Sequence, residues 1–291
     1  MASDLRFKEK IAIVTGGCQG IGKGCSEILA ENGGTVVVFD INDKLGEDIN
    51  ETSFKGPGEI VFIHCDVTDE ILVKSCIDKV MKKYGQIDCI VNNVGESKFG
   101  HTFKLSKTMK TTRKRLVTNK VTGTPLRAAG MSTIEGISVQ EFRNLLEINL
   151  VSHFTMYKYG LPHLRKTKGS VVNIGSFSGT HGQGACPIYC ATKGAIPALA
   201  RAIAIDEAKH GVRVNTICPG PIQTPMTDAL LASSEDSGLE DHVKSWTLMN
   251  RIGDPREIGK ACLFLAADAT FTTGTELMCT GGGEIGYGVK P

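Results

Sequence analysis

The chain has 291 residues, 41% of them hydrophobic, and a formal net charge of +2. That supply of apolar side chains can bury a sizeable core, and the length fits one large α/β domain spanning 1–291 better than two small ones. The near-neutral balance argues against a polyanion-binding protein as a whole, so no nucleic-acid partner is expected.

Met1–Arg6 carries no apolar signal segment, and no stretch approaches the roughly 18 apolar residues of a membrane span. A soluble, cytosolic chain without a membrane partner is the expectation. Lys10–Thr15 reads as a short strand, followed by Gly16-Gly17-Cys18-Gln19-Gly20-Ile21-Gly22 and a helical pattern with Cys25, Ile28 and Leu29 on one side. Strand, glycine turn and helix make a seat for a phosphate, because helix N–H groups point at it and glycines let the backbone approach. The spacing Gly16-x3-Gly20-x-Gly22 is not G-x-G-x-x-G, so the turn by itself decides little. The next strand, Thr35–Phe39, ends at Asp40 with no Arg or Lys directly after it. A carboxylate there can accept both ribose hydroxyls of an adenosine and repels a 2′-phosphate. Its competing role is to cap a helix starting near Asn42.

Glu59–Cys65 reads as a third strand running into Asp66-Val67-Thr68-Asp69. Asp66 is placed to hydrogen-bond an adenine amino group, and Thr68 or Asp69 to cap the helix Ile71–Tyr84. His64 is expected to be a packed strand-end residue. Gln86–Val91 is a fourth strand, closed by Asn92-Asn93-Val94-Gly95. Apolar strands alternating with helices imply an α/β fold: a doubly wound, mostly parallel, seven-stranded sheet covered on both faces, with ligands at the strand carboxyl ends. The pattern breaks at about 96–137, where nine Lys/Arg and no acid fall between Ser97 and Ile134. A solvated basic insertion is the expectation there, and an anion-binding patch the sharper alternative.

Regularity returns at Ser138-Val139-Gln140-Glu141, a capping-box start for an amphipathic helix to about Leu161. Asn149 interrupts its apolar stripe, either as a brace for backbone or as part of a site. The strand Ser170–Ile174 delivers Ser176, and Tyr189 and Lys193, four apart, share one helix face. An ammonium beside a phenol favours the phenolate, so Tyr189 can serve as a base below its ordinary pKa near 10. Gly211–Ile217 is a sixth strand leading to Pro219-Gly220-Pro221-Ile222-Gln223-Thr224. Residues 226–250 read as two short helices joined by polar Ser233–Gly238, a segment able to close over a substrate. Trp246 and Met249 there either wall an apolar pocket or pack. Asp254 caps a helix to Ala267, and Gly274–Met278 is the last strand. The ten cysteines show no C-x-x-C and lie mostly in apolar runs, which reads as buried thiols in a reducing compartment with no metal site.

From Lys10 to the end, the insertion apart, the chain resembles the short-chain dehydrogenase/reductase family. The resemblance rests on Thr15–Gly22, Asp66-Val67, Asn92-Asn93-Val94-Gly95, Asn149, Ser176, Tyr189-x3-Lys193 and Pro219-Gly220. It implies NAD as cofactor, selected over NADP by Asp40. Gly16, Gln19, Gly20, Ile21 and Gly22 would lie under the pyrophosphate, Asp66 and Val67 against adenine, Asn92 beneath the cofactor, and Ile222 and Thr224 by the nicotinamide amide. Tyr189 would be the general acid/base, Ser176 would orient the substrate oxygen, Lys193 would bind the nicotinamide ribose, and Asn149 would hold a relay water. The implied reaction interconverts a secondary alcohol and a ketone, the alcohol of a steroid or of a sugar, with Gln183 touching substrate. The implied assembly is a homotetramer to which the tail near Tyr287 contributes. Within the family, Gly182-Gln183 and the ending Thr273–Gly288 carry the substrate reading. Four departures stand out: Val94 for the usual alanine, Gly175 for the first serine of a pair, Glu96 after Gly95, and the insertion. An insertion beside the pocket and the dimer helix offers the alternative of a dinucleotide-binding protein with little catalysis.

Overall fold

The computed structural model describes residues 5–51, 54–97, 133–232 and 238–285. Seven parallel strands form one sheet: β1 Ile11–Thr15, β2 Thr35–Asp40, β3 Glu59–His64, β4 Cys89–Asn92, β5 Ser170–Ile174, β6 Arg213–Pro219 and β7 Glu276–Cys279, in the order 3-2-1-4-5-6-7. Successive side chains of a strand point to opposite faces. Ala12 and Val14 of β1 join the core beneath one helical layer, while Ile11 and Ile13 join the other. This is why the strands read as unbroken apolar runs. The chain reverses direction across the sheet between β1 and β4, and a crevice forms there at the strand carboxyl ends.

The helices are α1 Gly20–Glu31, α2 Asp43–Glu51, α3 Glu70–Tyr84, α4 Val139–Leu146, α5 Ser152–Thr167, α6 Phe177–His181, α7 Pro187–Glu207, α8 Pro225–Ala232, α9 Leu239–Lys244 and α10 Pro255–Leu263. Their starts obey local chemistry. Asp69 accepts from the Leu72 N–H at 3.0 Å, and Ser138/Glu141 and Asp254/Glu257 close capping boxes. Three readings change. The helix begun at Ser138 runs on to Thr167 through a π turn, Glu147–Val151, rather than stopping near Leu161. His64 is exposed, its Nδ1 2.6 Å from Asp43 Oδ1, because the end of β3 lies open beside the start of α2. Pro187–His210 is long and apolar enough to cross a membrane by length and composition; it packs along β5 and β6. The basic run at Lys98–Arg127 and Tyr287 lie outside the described residues.

Helices α1 and α10 touch backbone to backbone. A Cβ on Gly24 would stand 2.4 Å from the Pro255 carbonyl oxygen, and one on Gly259 2.4 Å from that of Gly24. Arg256 then straps α10 to Glu27 and Glu31 at 3.1 and 2.7 Å. Because α1 carries the glycine turn at its start, this seam sets where that turn sits. Gly259→Ala should lower unfolding free energy by about 1–3 kcal/mol, read from urea denaturation midpoints; an unchanged midpoint would refute the close packing.

Candidate active site

The glycine turn needs its glycines for space and for dihedral angle. Gly16 and Gly20 have φ of +65° and +53°, in the left-handed region, and a Cβ on Gly22 would lie 2.1 Å from the Gly16 carbonyl oxygen. Gln19, at the N-cap of α1, makes no side-chain cap, so its side chain leaves the first-turn N–H groups to an anion. Thr224, from the other half of the chain, stands over Gly20, its Cγ2 3.3 Å from the Cβ position, at the edge of a cleft of about 290 Å³ shared with Lys23 and Pro225. Ile21 is half-buried in the first turn of α1, and Ile222 is buried just ahead of Thr224.

Asp40 is not the cap of α2; the Asn42 side chain accepts from Leu45 N–H at 3.2 Å and does that work. One Asp40 oxygen accepts from the Cys18 N–H at 3.1 Å and the other from Asn42 N–H at 3.0 Å. The carboxylate is thereby locked against the glycine turn. Burial, followed by this carboxylate, pushes the Cys18 thiol up to about 12, so it is an inert lining residue. Asp66 folds onto Thr68, accepting from its N–H at 2.9 Å and its hydroxyl at 2.7 Å, beside buried Val67.

Between β1 and β4 the contact to the turn is made by Asn93. Its Nδ2 donates to the carbonyls of Thr15 and Gly16 at 2.9 and 3.1 Å. Asn92 lies within the sheet, where its Nδ2 donates to Asn173 Oδ1 at 3.1 Å, an atom that also accepts from the Tyr157 hydroxyl at 2.9 Å. Its side chain thus ties β4 to β5 within the sheet. The neighbouring Val94 packs beside the turn, its Cγ2 3.1 Å from where a Cβ on Gly16 would stand. Buried His153 sets its Nε2 3.4 Å from the Val94 carbonyl, and burial first, then Lys193, depress its pKa to about 3. Neutral His153 and Asn93 are site-supporting residues that sequence reasoning passed over; the doubled asparagine was the available signal.

Ser176 lies two residues beyond β5 and caps α6, its Oγ accepting from Ser178 N–H at 3.2 Å. Tyr189 enters from the first turn of α7, and the Ser176 side chain acts on its phenol, favouring the ionised form. Lys193 follows one turn on, 4% exposed, donating from Nζ to the Ile174 carbonyl at 3.0 Å. That bond turns the ammonium toward the sheet end from which Ser176 follows. Burial dominates both groups, lifting the phenol to about 12, with Ser176 partly opposing, and lowering the lysine to about 8. Gly95 makes room for Lys193, since a Cβ there would stand 2.6 Å from Nζ.

Asn149, fully buried, is a clamp. Its Oδ1 accepts from Glu96 N–H at 2.8 Å, and its Nδ2 donates to the Glu96 carbonyl at 2.9 Å and to Thr192 Oγ1 at 3.1 Å. Of the two readings of this residue, the structure shows the brace on backbone. Gly175 is explained by its neighbours: a Cβ would press on Thr216 Cγ2 at 3.0 Å and Cys218 Sγ at 3.2 Å. Gln183 accepts the Ser178 hydroxyl at 2.7 Å through Oε1. Trp246, Leu248 and Met249 are partly exposed near Phe177 and the tail at Gly282-Gly283.

A glycine turn at a chain-reversal crevice, with a serine beyond a strand end and a tyrosine and lysine on the following helix, is the arrangement that alcohol chemistry with a bound dinucleotide would need. Comparison with known proteins carries the classification further. Residues 10–125 match the family model for short chain dehydrogenases, and residues 117–284 that for enoyl-(acyl carrier protein) reductases. The chain is 40% identical to L-fucose dehydrogenase of Bos taurus and 38% identical to that of Mus musculus. Those matches cover 100% of this chain and 95% and 94% of the relatives. Its fold superposes on ligand-free aldohexose dehydrogenase of Thermoplasma acidophilum with a TM-score of 0.77 at 28% identity, covering 98% of each chain. The chain belongs to the short-chain dehydrogenase/reductase family.

Proposed function

We propose that residues 1–291 form one NAD-dependent dehydrogenase domain that oxidises a sugar hydroxyl, with L-fucose the first candidate. The observation that carries this reading is that Ser176 and Tyr189 interact beyond the carboxyl end of β5, in the same parallel sheet whose β1 and β2 ends carry a glycine turn and its backbone-fixed acid, Asp40. The residues fit the cofactor: the glycine cradle has no room for a Cβ at Gly22, and the α1 start is left uncapped by Gln19. Gly16, Gln19, Gly20, Ile21 and Gly22 would hold the pyrophosphate, Asp40 the adenosine ribose, Asp66 and Val67 the adenine, and Ile222 and Thr224 the nicotinamide end, over a loop supported by Asn92. The bound dinucleotide supplies the hydride acceptor.

The protein handles the proton. Ser176, whose Oγ already accepts from Ser178 N–H, has its hydroxyl hydrogen left to donate to the substrate oxygen. Tyr189 takes the alcohol proton as general base, and the Lys193 charge favours the phenolate while its ammonium binds the nicotinamide ribose. Both amide hydrogens of Asn149 are spent on protein acceptors, so a relay water there would be held by main chain. Gln183, oriented by Ser178, faces a substrate hydroxyl. A 17β-hydroxysteroid is the second reading, favoured by the partly exposed Trp246, Leu248 and Met249.

The deciding measurement is NADH formation by the full chain with L-fucose and other aldoses, set against 17β-hydroxysteroids. Turnover with L-fucose is expected to exceed that with steroids; steroid-only turnover would overturn the sugar assignment, and none with either the catalytic one. Ten free thiols support a reducing, cytosolic setting. Exposed apolar side chains, Val151 at the end of the π turn, Phe154 on α5, and Phe264 and Phe271 ahead of β7, would suit the subunit contacts of a homotetramer.

A further inference from the structure

Thr192 lies between Tyr189 and Lys193 on α7 and has no part in the chemistry above, although its side chain is fully buried. Its hydroxyl donates to the Tyr189 carbonyl at 2.9 Å, the back-bond that a helical threonine makes to the turn before it. That carbonyl is also the one an α-helix offers to the N–H four residues on, here that of Lys193. The oxygen of the same hydroxyl accepts from Asn149 Nδ2 at 3.1 Å. Asn149 is buried as completely, and its amide holds both main-chain groups of Glu96. Oδ1 accepts from the Glu96 N–H at 2.8 Å, and Nδ2 donates to the Glu96 carbonyl at 2.9 Å.

The polarity of these bonds admits one arrangement. A carbonyl only accepts, so the Thr192 hydrogen goes to Tyr189 and a lone pair is left facing Asn149. Asn149 must then turn its amide nitrogen to Thr192, which leaves Oδ1 for the Glu96 N–H. Thr192 and Glu96 thus require the same orientation of one buried amide. Three segments meet at this hydroxyl: the first turn of α7, the π turn Glu147–Val151, and the run that leaves β4. The last of these is where position matters most. Gly95 precedes Glu96, and a Cβ on it would stand 2.6 Å from Lys193 Nζ. A shift of this backbone is therefore a shift against the lysine ammonium.

We propose that Thr192 is a positioning residue for the dehydrogenase reaction: its hydroxyl locks the Asn149 amide, and through it the Gly95-Glu96 backbone, in register with Tyr189 and Lys193. This rests on the catalytic reading given above and adds to it a buried residue that acts only through its neighbours.

Three variants of the full chain test it. Thr192→Val keeps the branched shape and removes the hydroxyl, Thr192→Ala removes the hydroxyl and leaves space, and Thr192→Ser keeps the hydroxyl. NADH fluorescence titration counts the folded, cofactor-binding sites, so that turnover is expressed per site. The expected result is kcat per site lowered about tenfold in Thr192→Val and Thr192→Ala, with KM for the alcohol within about twofold of wild type. Thr192→Ser should restore kcat to within about twofold. On an Asn149→Ala background Thr192→Val should add nothing, because the path through the amide is already gone. Wild-type kcat per site in the variants lacking the hydroxyl, equal loss in Thr192→Ser, or a full further loss on Asn149→Ala would each overturn the proposal. Hydrogen exchange reads the clamp without turnover: the Glu96 N–H should exchange about tenfold faster in Thr192→Val than in the wild type. Absence of alcohol turnover by the wild-type chain would remove the catalytic reading alone, whereas unchanged exchange at Glu96 would remove Thr192 from its role.

Discussion

Tyr189→Phe is expected to lower alcohol oxidation by about 10³-fold while leaving the fold and NADH affinity in place. Phenylalanine keeps the ring and deletes only the oxygen that would receive the proton. The wild-type pH profile should carry the same signature. Burial sets the phenol near 12, so the basic form grows as pH rises toward that value. Below about pH 8, where Lys193 keeps its charge, oxidation should therefore quicken about tenfold per pH unit, whereas carbonyl reduction, which needs the protonated phenol, should stay level there. Circular dichroism and NADH fluorescence separate loss of chemistry from loss of structure. A variant that keeps its turnover, or an oxidation rate indifferent to pH, would remove Tyr189 from the role of base.

Asp40→Ser should shift cofactor preference from NAD toward NADP by about 10²-fold in kcat/KM ratio. Two effects add. NAD loses a charged acceptor for its ribose hydroxyls, and NADP loses a carboxylate that repels its 2′-phosphate. The effect should be large because the carboxylate is immobilised by the Cys18 and Asn42 N–H groups and cannot swing away from an incoming phosphate. Serine leaves those two donors with a weaker acceptor, so thermal melts with and without cofactor should accompany the kinetics. An unchanged ratio would mean that discrimination lies elsewhere in the glycine turn.

Legibility in the sequence followed how local each constraint is. The parallel sheet was readable because strands buried on both faces must be apolar throughout. The glycine turn and Asp40 were readable because backbone angle and charge restrict those positions to few residue types. The Tyr189–Lys193 spacing correctly put both side chains on one helix face but said nothing of the Ile174 carbonyl, which captures the ammonium from a different strand. Asn92 and Asn93 are identical in type and adjacent, so only register decides that Asn92 enters the sheet while Asn93 reaches the turn. Gly175 was a departure without a reason until Thr216 and Cys218 on β6 supplied one. His64 was misjudged because the openness of a strand end depends on where α2 passes.

The π turn at Glu147–Val151 has a consequence beyond the grip of Asn149 on residue 96. An extra residue wound into a helix rotates everything after it by about 100° relative to an unbroken ladder. The outward aim of Phe154 is thus fixed by the same irregularity that seats Asn149 inward. The inward seat of Asn149 and the outward aim of Phe154 are phased by one winding defect, and straightening that helix would misalign both together.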